Sequence, residues 1–445
     1  MTAPTHEEGE VVASLPTAGL NGRLFRFAPT AAREAAELNH GLHKYPAKFI
    51  PHIPRWAIEY ARLEPGQSLL DPFAGSGTTL VEGMLRGLHV AGADISPLAR
   101  LITRAKCSIW EQSLERTLAQ IADLELAIRS GDAAAALQRH EGSLHETSAY
   151  WFPRDSMARL LQIRECIESA PVGNSEAESD AIKAFLLVVL SNIAKQVSYL
   201  DERQIKVRYY AEKFPNGVPD AADIFLSSVR KFAPRQYAFS QHVRESGGGI
   251  LGIGDDARSL IFDSNTFHGV ICSPPYINAI DYTMAHKYNL FLLNLIEPKR
   301  FKDHCREYIG VTERAVTSAM LSETPQTGHH WTDSLIAELS GGSAVDKNRA
   351  YVIASFFYGM RRAFQEAHRV MRPGAFFILA LGHSNRIRGR HVPTTDILVD
   401  LAAESGFSLV EQFFHGLERR RIKFNRNTTA GIITNEAVVV LKADK

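Results

Sequence analysis

Two short loops carry the residue types best suited to chemistry, and each directly follows an apolar run. In LLDPFAGSGTT (69–79) the run ends at Asp71, and Gly75 and Gly77 let the backbone approach a ligand because no Cβ intervenes. No Gly-Lys-Thr follows, so this is not a Walker A phosphate loop. Asp94 ends the next apolar run, 23 positions after Asp71, where a dinucleotide-type fold places a carboxylate on ribose hydroxyls.

The alternative for these residues is purely structural. Ser96 and Pro97 open a predicted helix just after Asp94, where a carboxylate can cap the helix amino terminus. A Gly-x-Gly turn after a strand also occurs where nothing binds. The loop and Asp94 together favour an adenosine-containing cofactor over this alternative.

The second loop is VICSPPY (270–276). Pro274 and Pro275 fix the backbone and remove two N–H donors, so their carbonyls remain as acceptors. Ser273 adds a hydroxyl acceptor and Tyr276 a flat ring. A planar exocyclic amine is a poor nucleophile because its lone pair is delocalised, and acceptors for its N–H groups restore electron density to the nitrogen. The alternative is a Pro-Pro pair that merely ends a strand.

Strands and helices alternate around these loops, which is typical of a parallel α/β sheet. Strands are predicted at 68–70, 89–94, 249–254, 269–273, 374–382, 407–414 and 430–442, and helices at 80–87, 97–107, 350–370 and 395–405. The last two strands are predicted to form an antiparallel hairpin that closes an otherwise parallel sheet.

The sheet-forming segments imply one α/β domain at 36–107 and 248–445, interrupted by a helical insertion at 108–247. That insertion contains long helical patterns, such as SLERTLAQIADLELAI, and no clear strand. A second, irregular insertion rich in Ser, Thr, Gly and His is expected at 300–348. Residues 1–35 show little periodicity and are expected to form a loose lead-in.

Composition is ordinary, with 45% hydrophobic and 22% charged residues. With 50 Lys+Arg against 49 Asp+Glu, the net charge of +1 excludes a globally basic protein but leaves room for a local basic surface. The four cysteines form no CxxC pair, and no metal site is expected. The amino terminus is acidic, no apolar run approaches the ~20 residues that span a bilayer, and the protein is expected in the cytoplasm, without membrane partners.

The paired loops resemble those of the amino-group DNA methyltransferases, which transfer a methyl group from S-adenosylmethionine to cytosine N4 or adenine N6. That family combines a D-P-F-x-G-S-G-T loop with an (S/D/N)-P-P-(Y/F/W) loop, and Ser in the first position, here Ser273, is typical of its cytosine-N4 members. HKYPAKFIP (43–51), GDDAR (254–258) and VMRPGAFFILALG (370–382) resemble further segments of the family. The resemblance implies a Rossmann-like methyltransferase fold with a mostly parallel seven-stranded sheet.

The resemblance also implies roles for individual residues. Asp71 and the loop 75–78 would hold the methionine part of the cofactor, Asp94 would accept its ribose hydroxyls, and Asp256, less surely Asp255, would meet its adenine. The implied cofactor-binding set is Tyr45, Lys48, Asp71, Phe73, Gly75, Ser76, Gly77, Thr78, Asp94, Ile95, Asp256 and Ala257. The implied catalytic set is Ser273, Pro274, Pro275 and Tyr276, with the Tyr276 ring stacked on a flipped base.

Several alternatives remain open at this point. Adenine N6, RNA or protein-glutamine methylation usually has Asp or Asn in place of Ser273, and a non-catalytic nucleic-acid-binding protein would not need both intact loops. Cytosine C5 is disfavoured because that chemistry needs a Pro-Cys thiolate, whereas Cys272 precedes the prolines. The cofactor loop precedes the catalytic loop, the reverse of many N4 enzymes, and the long insertion is not where a recognition domain is expected by default.

The implied partners are double-stranded DNA and a cognate restriction endonuclease. Three locally basic runs suit phosphate contacts and base stacking, namely HGLERRRIKFNRN (415–427), SNRIRGRH (384–391) and RQIKVRYYAEKF (203–214). The alternative for each run is a solvated face of long charged side chains.

Overall fold

The computed structural model describes residues 9–27, 38–46, 49–204, 207–277, 282–311, 315–382, 385–416 and 435–445. Its strands are β1 (Glu10–Val12), β2 (Leu24–Phe27), β3 (Ser68–Asp71), β4 (His89–Ala93), β5 (Gly249–Gly254), β6 (Phe267–Cys272), β7 (Met371–Gly382), β8 (Asn385–Ile387), β9 (Arg390–Val392), β10 (Phe407–Gly416) and β11 (Asn435–Ala443). Within these residues, β8 and β9 form a separate hairpin and the other nine strands form one sheet in the order β1-β2-β10-β11-β7-β6-β3-β4-β5.

The sheet is mostly parallel, and β11 runs antiparallel to both of its neighbours, β10 and β7. All seven predicted strands are present as β3 to β7, β10 and β11. The predicted strand number of seven is nevertheless wrong, because β1 and β2 continue the sheet beyond β10. Both strands lie within residues 1–35, which were expected to form a loose lead-in. They escape detection because three or four residues are too few to show a period, although Leu24 and Phe25 are buried.

Helices cover the sheet and fill the two insertions. They are α1 (His52–Tyr60), α2 (Thr78–Leu85), α3 (Pro97–Cys107), α4 (Leu114–Ser130), α5 (Ala133–His140), α6 (Ser148–Trp151), α7 (Arg154–Ser169), α8 (Glu176–Ile193), α9 (Ala221–Ser246), α10 (Tyr282–Leu292), α11 (Phe301–Glu307), α12 (Ser318–Ser322), α13 (His330–Ser340), α14 (Ala344–Val370) and α15 (Thr394–Ala403). No helix in the described part of the chain is both long and apolar enough to cross a membrane.

The helices between β4 and β5, α4 to α9, share one apolar core with α3 and α10. Trp110 is fully buried there, with its ring edge-on to Phe185 of α8 at 5.0 Å. Because α3 follows the end of β4 and α10 follows the VICSPPY loop, the insertion packs against helices attached to both motif regions.

The second insertion, expected to be irregular at 300–348, instead contains the short helices α11, α12 and α13. Its Ser, Thr and His residues act as helix caps. The Thr317 side chain accepts the Met320 N–H, and Ser343 forms a capping box with Asp346 at the start of α14. These residue types favour loops and caps alike, so composition alone cannot separate the two.

A buried carboxylate joins the amino-terminal segment to the first α/β unit. Glu82 on α2 is 1% exposed and accepts hydrogen bonds from His40 at 2.8 Å and from Arg55 of α1 at 2.8 Å. Burial raises the pKa of Glu82, but the hydrogen bonds from His40 and Arg55 outweigh burial and lower it to about 2. Removing one member of such a buried network leaves the other charged groups buried without the partner that compensates their loss of hydration.

We expect Glu82→Gln to lower the free energy of unfolding by about 3 kcal/mol at neutral pH. Because the folded pKa lies below the ordinary value of 4.5, the stabilisation by Glu82 is complete above that pH and is lost as the pH falls toward 2. Denaturant titrations at several pH values would measure this difference. Glu59→Gln, which removes an exposed carboxylate on α1, is the control, and equal unfolding midpoints for the two variants would contradict the prediction.

Candidate functional site

Both motif loops leave the same edge of the sheet. β3 pairs in parallel with β4 and with β6, and β4 pairs in parallel with β5. The carboxyl ends of these four strands therefore place Asp71, Asp94, Gly254 and Ser273 along one edge. In an open parallel sheet, ligands bind outside the carboxyl ends of the strands. The structure thus brings together the two loops that the sequence separates by about two hundred residues.

Glycine is required at two positions of the first loop, because φ is +51° at Gly75 and +74° at Gly77. Side chains of α3 hold this loop: Thr103 Oγ1 donates to the Gly75 carbonyl at 3.2 Å, and Lys106 Nζ donates to the Ser76 carbonyl at 2.6 Å. Lys106 is 1% exposed and has no place in the sequence prediction. Its position in an ordinary amphipathic helix gave no signal of this contact.

Asp94 links the first loop to the end of β4. Its Oδ2 accepts the Gly75 N–H and its Oδ1 accepts the Ser96 N–H, both at 2.8 Å. Ser96, not Asp94, is the N-cap of α3. Burial raises the pKa of Asp94, although the two backbone N–H groups act in the opposite direction. Because each carboxylate oxygen offers two lone pairs, Asp94 keeps acceptor capacity for hydroxyl groups of a ligand.

Asp71 lies deeper, with 2% exposure. It accepts the Phe73 N–H at 3.0 Å, and the Thr79 side chain lies nearby. Burial raises its pKa to about 7, against the lowering effect of the Thr79 hydroxyl and the Phe73 N–H. Asp71 therefore stabilises the turn after β3 from a buried position.

The other predicted cofactor residues of this edge also surround the loop. Ser76 and Thr78 are buried, and Phe73 and Ile95 are half-buried. The Thr78 hydroxyl is buried without a hydrogen-bond partner among the residues that the structure describes. An unsatisfied polar atom beside two glycines in left-handed conformations suits a polar ligand at this loop. Lys48 lies outside the described residues.

Tyr45 covers the loop from the amino-terminal segment. Its ring stands 3.6 Å from the position that a Cβ of Gly75 would take, and it stacks on His286 of α10 at 4.8 Å. His286 is 5% exposed, and its Nε2 has no hydrogen-bond partner in the described part of the chain. Burial, helped by the charge of Lys195, lowers the pKa of His286 to about 3. His286 was not predicted, because no motif surrounds it.

The end of β5 supplies the second acidic position. Asp94 N–H donates to the Gly254 carbonyl at 3.3 Å, which places the GDDAR segment beside Asp94. Asp256 forms an ion pair with Arg258, with atoms 2.8 Å apart, while Asp255 is exposed and Ala257 is buried. Tyr308, after α11, lies near Ser96 with its hydroxyl 3.1 Å from His304 Nε2, and burial raises its pKa. This tyrosine reaches the site from the second insertion, and sequence reasoning missed it.

The second loop follows β6, with Ser273 and Pro275 half-buried and Pro274 buried. Tyr276 donates its hydroxyl hydrogen to Glu436 of β11. A Cβ at Gly382 of β7 would lie 3.1 Å from the Tyr276 ring, so this glycine is what lets the ring rest on β7. Glu436 was not predicted, because it stands 160 residues from Tyr276 in a strand that carries no motif.

The three basic runs differ in where they lie and in what their arginines contact. Residues 417–427 of the first run lie outside the described residues. In the second run, Arg388 pairs with Asp346 at 2.7 Å and Arg390 pairs with Glu338, so both arginines have carboxylate partners within the protein. The third run lies in the helical insertion, and its residues 205 and 206 lie outside the described residues. Arg203 stands 4.9 Å from the centre of the Tyr210 ring and pairs with Asp201 at 2.8 Å.

Comparison with known proteins finds similarity to methyltransferases. The family model for the RMKL-like methyltransferase domain (UPF0020) matches residues 42–126, which include Tyr45, the Gly-rich loop and Asp94. The chain is 25% identical to the type II methyltransferase M.MvaI of Kocuria varians over 433 residues, which is 91% of each protein.

Two further relatives are also type II methyltransferases. M.BsoBI of Geobacillus stearothermophilus is 21% identical over 84% of this chain and 80% of that protein. M.AvaI of Nostoc sp. (strain PCC 7120) is 20% identical over 77% of this chain and 73% of its own. These similarities extend over most of each chain.

The family model, the type II relatives and the two loops at one sheet edge confirm the resemblance and the cofactor drawn from the sequence. The chain is thus similar to amino-group DNA methyltransferases, and these similarities indicate S-adenosylmethionine as its cofactor.

Proposed function

We propose that the chain methylates the exocyclic N4 amine of cytosine in DNA, as part of a restriction–modification or other host-protection system with a cognate endonuclease. Adenine N6 is the alternative target. The observation that carries the proposal is Ser273, which lies half-buried at the end of β6, next to the strand that bears the Gly-rich loop. Serine at this position is the form typical of cytosine-N4 enzymes.

Residues at the ends of β3, β4 and β5 would hold the cofactor. When bound, S-adenosylmethionine supplies an electrophilic methyl group on a sulfonium centre. Tyr45 and the loop 75–78 would contact its methionine part, and Asp94 would accept hydrogen bonds from its ribose hydroxyls through the lone pairs that Gly75 and Ser96 leave available. Asp256 would lie at the adenine, as the family resemblance implies, and its carboxylate is held by hydrogen bonds from the backbone and side chain of Arg258.

The Ser-Pro-Pro-Tyr loop would activate the target. Ser273 Oγ and the Pro274 carbonyl would accept the two N–H groups of the amine, Pro275 would keep that carbonyl in place, and Tyr276 would stack on the flipped base. As the N–CH3 bond forms and the S–CH3 bond breaks, the nitrogen becomes cationic and its proton becomes acidic. No strong base is needed, because that proton can pass to water or through Ser273.

The state of Cys272 supports an amine target over cytosine C5. A C5 reaction needs a thiolate that attacks the base. Cys272 is 0% exposed within β6, and burial raises the pKa of its thiol well above the usual value, with a further contribution from Asp71. A thiol in this environment is held protonated in the core and cannot reach a base.

The helical insertion offers a surface for the DNA. Tyr150 is 59% exposed, and its ring lies 4.6 Å from that of Tyr209. Trp151 joins these rings to Tyr288 of α10 at 5.6 Å, so the surface is attached to the helix that follows the catalytic loop. Exposed aromatic rings suit base stacking. We assign DNA contact to this aromatic surface.

We expect Asp94→Ala to weaken S-adenosylmethionine binding by about 1.5–3 kcal/mol, because two ribose hydroxyls lose a charged partner. Asp94→Asn, which keeps oxygen acceptors for the loop, should weaken binding less. Calorimetric titration measures both affinities. Asp132→Ala removes a carboxylate that caps α5 in the insertion and serves as the matched control. Equal affinity in the wild type and Asp94→Ala would contradict the ribose assignment.

We expect Ser273→Ala to lower kcat by about a hundredfold, since losing one acceptor to a developing charge costs about 2–4 kcal/mol. Cofactor affinity should stay unchanged, as it should in the control Ser169→Ala on α7. The modified nucleoside, identified by mass spectrometry after incubation with unmethylated DNA, should be N4-methylcytosine. N6-methyladenine would overturn the choice of target, and 5-methylcytosine would overturn the assignment of the loop.

The double variant Tyr150→Ala/Tyr209→Ala should raise KM for DNA roughly tenfold or more, because base–aromatic stacking contributes about 1–3 kcal/mol per base. Cofactor affinity should not change. The control is Tyr358→Ala, an exposed tyrosine on α14. An unaltered KM for DNA in the double variant would remove the aromatic surface from the DNA interface.

A further inference from the structure

We propose that His286 of α10 is a positioning residue for the cofactor, because its ring supports the Tyr45 ring beside the Gly-rich loop. The inference rests on the proposed function, in which Tyr45 contacts the methionine part of S-adenosylmethionine. It adds a residue that acts through Tyr45. The contact that carries it is the stacked pair of the two rings, with centres 4.8 Å apart and planes inclined at 21°.

Tyr45 is the residue through which the amino-terminal segment reaches the Gly-rich loop. Its Cε1 atom lies 3.6 Å from the position that a Cβ of Gly75 would take. Because Gly75 has no side chain, its backbone is open to close approach by a ligand. The Tyr45 ring therefore borders the loop at a residue where a ligand could lie against the main chain.

The backbone just before Tyr45 is held by α8. His43 Nε2 lies 3.1 Å from the Ser191 hydroxyl oxygen, and the Lys44 N–H donates to Asn192 Oδ1 at 2.9 Å. These contacts fix the main chain of the segment, but they leave the Tyr45 side chain free to rotate about its own bonds. The direction of the ring therefore depends on what the ring packs against.

α10 supplies that packing. Tyr282 and His286 are four residues apart on this helix, so they lie on the same face. Both rings are nearly parallel to Tyr45, but the centre of Tyr282 is 6.5 Å away and that of His286 only 4.8 Å. His286 is also 5% exposed, whereas Tyr282 is half-buried. His286 is thus the nearer and more firmly enclosed support.

The contribution of His286 to this contact is a flat, uncharged face. Its Nε2 has no hydrogen-bond partner among the residues that the structure describes. Burial lowers the pKa of His286 to about 3, so the ring carries no charge at neutral pH. Neutral aromatic rings attract one another in offset stacks. The support should therefore depend on the planar shape of the side chain and not on its nitrogens.

The effect should appear in cofactor binding. Without the His286 ring, Tyr45 samples other rotamers and borders the loop only part of the time. The apparent affinity of a ligand falls with the fraction of the protein in the binding-competent state. At saturating cofactor the Tyr45 ring is in place, so kcat and KM for DNA should stay nearly unchanged.

The test titrates the unloaded protein with S-adenosylmethionine by calorimetry. His286→Ala and His286→Leu should each weaken binding about tenfold, which is the upper end of what a stacked aromatic pair contributes. His286→Phe keeps a flat face and should bind within about twofold of the wild type. The double variant Tyr45→Ala/His286→Ala should bind no more weakly than Tyr45→Ala, because His286 acts through Tyr45.

The chain provides a matched control on the same helix. The His145 ring stacks on Phe291 of α10, with centres 4.9 Å apart and planes inclined at 11°. His145→Ala removes the same side chain from the same kind of pair and should leave cofactor affinity unchanged. The thermal unfolding midpoint shows whether each variant is folded, and His286→Leu and His286→Phe keep the test decisive if His286→Ala does not fold.

The outcomes separate this inference from the proposed function. Normal cofactor affinity in His286→Leu, or an equal loss in His286→Phe and His286→Leu, would overturn the support by a ring face and leave the function standing. Losses that multiply in the double variant would also overturn it. Unchanged affinity in Tyr45→Ala would remove Tyr45 from the cofactor site, and this inference with it, without touching the target amine. A wild-type protein that binds no S-adenosylmethionine would overturn both.

Discussion

The hydrogen bond from the Gly75 backbone to the Asp94 carboxylate is the constraint on which the cofactor side of the site depends. It joins the loop after β3 to the end of β4, and the Ser96 N–H on the other carboxylate oxygen adds the start of α3. α3 then returns Thr103 and Lys106 to the carbonyls of the same loop. A single half-buried carboxylate thereby fixes a loop, a strand end and a helix in one arrangement.

The target side of the site depends on a different kind of support. Pro274 and Pro275 stiffen the loop locally, but the orientation of Tyr276 is decided by residues of β7 and β11. Since β11 is inserted between β7 and β10, the antiparallel strand does more than close the sheet. It brings the Glu436 carboxylate to the loop that we propose activates the target amine.

The sequence was informative wherever function depends on local chain geometry. Glycines in left-handed turns, consecutive prolines and aspartates at strand ends act within a few residues, so Asp71, Asp94 and Ser273 could be found and placed at one sheet edge. Glu436, His286 and Tyr308 could not, because each reaches the site from a distant segment with no local signature. The strands β1 and β2 and the capped helices of the second insertion were missed because short elements and caps resemble loops in composition.

The pairing of β3 with β6 has a consequence for how the protein folds. Ser68 and His268, hydrogen-bonded at this pair, are 200 residues apart in the chain. Loop-closure entropy rises only slowly with loop length, but folding rates fall as contacts become less local. If the helices α4 to α9 form first through their local contacts, they shorten the loop that β6 must close. We therefore expect the central strands to pair after the insertion has folded, and variants that destabilise the insertion to aggregate more readily during refolding.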